Sequence, residues 1–81
     1  MTVEAEEWLR NFAARLGVEP PSAEEQDLLL ALAGVAAHAS ERTAAPISCW
    51  LAARCGAPLA DVNRAAKQLA DEIAAGALRG E

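Results

Sequence analysis

The twelve residues from Leu28 to Ala39, LLLALAGVAAHA, constrain the fold more than any other part of the chain. Only Gly34 and His38 interrupt the apolar run, and a helix that is apolar all round must be covered on most of its sides. In 81 residues few other elements exist to cover it, and a chain of this size sits near the lower limit for a self-supporting core. The segment is therefore expected to be either the centre of a small bundle or the heart of a dimer. As a helix it would be about 18 Å long against a hydrocarbon core of about 30 Å, so it is not expected to cross a membrane.

Three more helices can be read around it. From Glu4, the residues Ala5, Trp8, Leu9, Phe12, Ala13 and Leu16 recur at helical spacing and Gly17 supplies a stop. Ser22, with Glu25 three residues on, forms a capping-box signature for the second helix. Pro46 suits the first turn of a third helix that stops at Gly56, and Val62, Ala66, Leu69, Ala70, Ile73 and Ala77 form the stripe of a fourth. The expectation is one all-α domain over residues 1–81, a compact bundle with helices at about 3–16, 23–41, 46–55 and 59–77. Trp8 and Trp50 are expected as core anchors within apolar stripes, and Gly34 as a point of close helix crossing. The 21 alanines and single phenylalanine leave few large side chains for the core, which favours burial completed across an interface.

Charge narrows the partners. Residues 1–30 carry seven acids against Arg10 and Arg15, a balance of −5, while residues 31–81 balance at five and five. An acidic N-terminal third with no basic stripe disfavours nucleic acid and membrane surfaces. No export signal is visible in MTVEAEEWLR, and Cys49 and Cys55, six residues apart, fall too far apart along one helix to bridge. Both are read as reduced thiols in a cytoplasmic protein. One histidine and two separated cysteines do not make a zinc site, and no phosphate loop or nucleophile elbow is present. No cofactor or metal is expected.

Residues 37–50, AHASERTAAPISCW, carry the remaining information. If the second helix runs to about Arg42, then His38 and Arg42 lie one turn apart on one face. The third helix would start at Pro46 with free N–H groups, including those of Ser48 and Cys49, turned toward them. His38, Glu41, Arg42 and Ser48 then compose a candidate site for phosphate or carboxylate. The alternative is structural, with Arg42 capping a helix C-terminus and His38 satisfied in the interior. Three polar residues at a helix end, with no second acid or base, lean away from an enzyme.

The same segment resembles a small bacterial family of unknown function. Its members occur alone or as C-terminal extensions of molybdenum cofactor guanylyltransferases, and are often labelled molybdopterin-guanine dinucleotide biosynthesis proteins. The matching residues are Val35, Ala37, His38, Glu41, Arg42, Ala44, Ala45 and Pro46, supported by Trp8, Leu9, Leu16, Gly17, Leu28 and Leu29. After the proline, ISCWLAA stands where the family more often has threonines, phenylalanine and a glycine. The resemblance implies an accessory module that docks on the guanylyltransferase or its pterin-bearing partner. The other reading is a helical homodimerisation or scaffold protein with no small-molecule ligand.

Overall fold

The computed structural model describes residues 4–76. Four helices follow in order, α1 (Ala5–Leu16), α2 (Ala23–Ala39), α3 (Ala44–Cys55) and α4 (Leu59–Ala74), and no strand occurs among the described residues. The all-α, four-helix expectation holds. Residue 3, the expected start of the first helix, and the tail from Ala77 lie outside the described residues.

The helix ends follow local chemistry. Gly17 closes α1 at φ 72°, and the N–H groups of Gly17 and Val18 return to the carbonyls of Ala14 and Ala13. That left-handed turn suits glycine, which has no Cβ to clash. At the start of α2 the Ser22 hydroxyl accepts from the Glu25 N–H at 3.1 Å, and the Glu25 carboxylate accepts from the Ser22 N–H at 2.8 Å. The expected capping box is therefore complete. Gly56 closes α3 with φ 74°.

Four boundaries differ from expectation, the first being the start of α1, which opens at Ala5 because Glu4 is its extended N-cap residue at φ −69° and ψ 154°. Helix α2 ends at Ala39 rather than residue 41, and α3 begins at Ala44 rather than Pro46. The cause lies in the turn between them, where the N–H groups of Ala44 and Ala45 donate to the carbonyls of Glu41 and Arg42 at 2.9 and 3.1 Å. Those bonds start α3 two residues early and place Pro46 third in the helix, where its missing N–H still costs nothing. Helix α4 stops at Ala74, three residues short, as the chain turns at Gly76 with φ 78°.

Helix α2 is the central element, with α3 packed on one flank and α4 on the other, while α1 has no comparable packing against another helix. Among the described residues, the buried ones are Leu32 of α2, Ala52 of α3, Asn63 of α4 and Ala13 of α1. Asn63 fastens α4 to α2, its Nδ2 donating to the Leu28 carbonyl at 2.9 Å and to that of Leu59 at 3.2 Å. Gly34 does not mark a close crossing, because a Cβ placed there would meet no atom within 4 Å. It lies instead in an open groove between α2 and α4.

Candidate functional site

The segment at the α2–α3 junction does not assemble as one pocket. His38, in the last turn of α2, is exposed and lines the α2–α4 groove with Gly34 and Val35 beside it and Lys67 and Asp71 facing it from α4. Glu41 and Arg42 are exposed in the turn that follows. Ser48 is half-buried inside α3, and it shares a face with Ala45, Cys49 and Ala52 at helical spacing. That face meets α2 on its other flank, where the Cys49 sulfur lies 4.0 Å from the Leu29 carbonyl oxygen. Among the described residues no hydrogen bond or ion pair joins His38, Glu41, Arg42 and Ser48 side chains to one another.

The amides expected to point at an anion are also used otherwise. Because α3 starts at Ala44, the N–H groups of Ser48 and Cys49 fall within its hydrogen-bonded body. Those of Ala44 and Ala45 are taken by the turn carbonyls, and Pro46 has none. What the junction offers is a set of exposed polar side chains, His38, Ser40, Glu41, Arg42 and Thr43, one of them a guanidinium able to grip a carboxylate or phosphate in a bidentate way. Among the described residues no group of three or more His, Cys, Asp and Glu side chains could hold a metal.

The larger surfaces are apolar. Helix α3 turns its small residues inward and its large ones outward, so that Ile47, Trp50 and Leu51 are 61%, 56% and 56% exposed. Arg54 lies on this outer face, its guanidinium carbon 4.9 Å from the Trp50 ring centroid, a cation–π arrangement. Helix α1 repeats the pattern. Trp8, Phe12 and Leu16 are about half exposed, and the Trp8 and Phe12 rings stack with centroids 5.5 Å apart. Neither tryptophan is the core anchor that its apolar stripe suggested. In α3 the reason is the second stripe, Ala45, Ser48, Cys49 and Ala52, whose small side chains let the helix sit close on α2. That stripe has the same i, i+3, i+4, i+7 spacing, and its smallness was the available signal.

Residues 2–80 match the model of a family described as a domain of unknown function, DUF6457. The chain belongs to this family. No curated protein and no solved structure matches it. Within this DUF6457 domain, the half-exposed surfaces of α1 and α3 and the polar junction after α2 are the features available for recognition. No helix of the described residues is long and apolar enough to cross a membrane.

Proposed function

We propose that this DUF6457 domain is a protein-interaction module, and that its setting is molybdopterin-guanine dinucleotide formation, where it docks on the molybdenum cofactor guanylyltransferase. The observation that carries the interaction reading is the pair of exposed apolar stripes, Trp8, Phe12 and Leu16 on α1 and Ile47, Trp50 and Leu51 on α3, whereas Ala13, Leu32 and Ala52 are the buried apolar residues among the described residues. Contiguous exposed apolar faces of this kind mark contact surfaces. The setting is supported by the resemblance carried by His38, Glu41, Arg42 and Pro46. The polar junction supplies the specificity, with Arg42 and His38 meeting a carboxylate or phosphate borne by the partner.

Titration of the guanylyltransferase into this protein, followed by calorimetry, tests the setting. The expected result is saturable binding that Arg42→Ala weakens about ten-fold, the size of one charge-assisted hydrogen bond, with unliganded stability unchanged. Parallel titrations of GTP, GMP and inorganic phosphate tell whether the anion is recognised on its own or only on the partner. Absence of transferase binding at about 100 μM, where association is weaker than roughly 5.5 kcal/mol, overturns the setting.

A further inference from the structure

We propose that the outer face of α3 is covered by α1 of a second copy of this chain, laid antiparallel, and that the exchange is reciprocal. The inference rests on reading the apolar faces as contact surfaces, and names the occupant of one of them. Four observations select a second copy.

The first is area. A compact monomer of 8.5 kDa exposes about 4,700 Å², whereas this chain exposes 6608 Å². Setting aside the whole extended-chain area of the eight terminal residues outside the description, about 1,200 Å², leaves an excess of roughly 700 Å². That is close to the ~800 Å² per partner of a stable interface.

The second is fit. The α1 stripe from Trp8 to Leu16 is about 12 Å long and the α3 stripe from Ile47 to Arg54 about 10 Å. The third is charge. The start of α1 carries Glu4, Glu6 and Glu7, and the end of α3 carries Arg54 with no acid in the helix. Antiparallel placement brings these ends together. At the opposite ends Arg15 meets both Glu41 and Arg42, whose charges offset, so the Arg54 end sets the direction.

The fourth is reach. The inner edge of α1 is already engaged by its own connection, where Glu6, Leu9 and Arg10 line a depression with Pro20, Pro21 and Gln26. The two prolines restrict that connection, and Trp8 and Phe12 face away from their own chain's core. A reciprocal contact of this kind closes at two copies, because each α1 lies on the other chain's α3.

The test exploits that reciprocity. In sedimentation equilibrium the wild type is expected as a dimer of two 8.5 kDa chains at micromolar concentration. Arg54→Glu weakens it, and so does the double variant Glu4→Arg with Glu7→Arg, each about ten-fold or more since two charge pairs per dimer become repulsive. An equimolar mixture of the two variants restores wild-type association, because each α1 then meets an α3 of opposite charge in the mixed dimer. Circular dichroism follows helicity in every sample, and helicity lost in a variant returns with the dimer on mixing. A wild type that stays monomeric at about 100 μM, equivalent to association weaker than ~5.5 kcal/mol, overturns the proposal. So does a dimer indifferent to the substitutions, or variants whose mixture does not recover, which would place α1 on its own α3. A monomer that still binds the guanylyltransferase overturns the exchange alone; a dimer that does not bind it overturns the cofactor setting alone.

Discussion

Asn63 is the one polar side chain buried among the described residues, and it joins two elements through a single amide. Its Nδ2 holds the Leu28 carbonyl of α2 and the Leu59 carbonyl one turn back on α4, while Oδ1 is buried with no partner among the described residues. Two donors satisfied and one acceptor orphaned make the net contribution smaller than two full hydrogen bonds. Asn63→Ala is therefore expected to lower unfolding stability by about 1–2 kcal/mol, seen as a lower urea midpoint at fixed protein concentration. An unchanged midpoint would mean that the orphaned oxygen cancels the two bonds. Sequence alone did not single out Asn63, since it sits among polar residues of α4 and its partner is a backbone carbonyl 35 residues away.

At the scale of the element, α3 shows how far periodicity reaches and where it stops. Its existence, its glycine stop and its place after the turn were all legible, as were the Ser22–Glu25 capping box and the Gly17 stop of α1. These depend on side chains within a few positions of the feature they fix. The face that α3 buries was not legible, because two stripes of helical spacing compete and the rule favouring large apolar residues picks the wrong one. Close approach to α2 selects Ala45, Ser48, Cys49 and Ala52 instead. The candidate site failed to assemble for a related reason: Ser48 belongs to that inner stripe, while His38 lines the groove on the α4 side. Enlarging the inner face therefore costs more than truncating the outer one. Ala52 is 5% exposed against α2, so Ala52→Leu should destabilise the fold by about 1–3 kcal/mol through overpacking. Chemical denaturation with helicity as the signal checks it, and a neutral substitution would mean that the α2–α3 contact has room for a larger side chain.

For the molecule as a whole, shape and stability are tied together. The radius of gyration is 14.4 Å, against about 12 Å for a compact domain of this length, and the long dimension is 43 Å. Helix α1 lends area to that shape without adding a matching helix contact of its own. Much of the apolar surface that could stabilise the fold therefore becomes available only when another chain covers it. If a second copy does so, folding and association form one equilibrium and the apparent stability follows protein concentration. Each ten-fold rise in concentration then adds about 1.4 kcal/mol per dimer, which, spread over the unfolding entropy of two chains, raises Tm by roughly 4 °C. Thermal scans between about 1 and 100 μM should thus span about 8 °C for the wild type. Arg54→Glu, with a weaker dimer, should melt lower at every concentration in that range. A Tm independent of concentration would show that α2, α3 and α4 stand without the second copy, and that the exposed faces of α1 and α3 contribute nothing to folding.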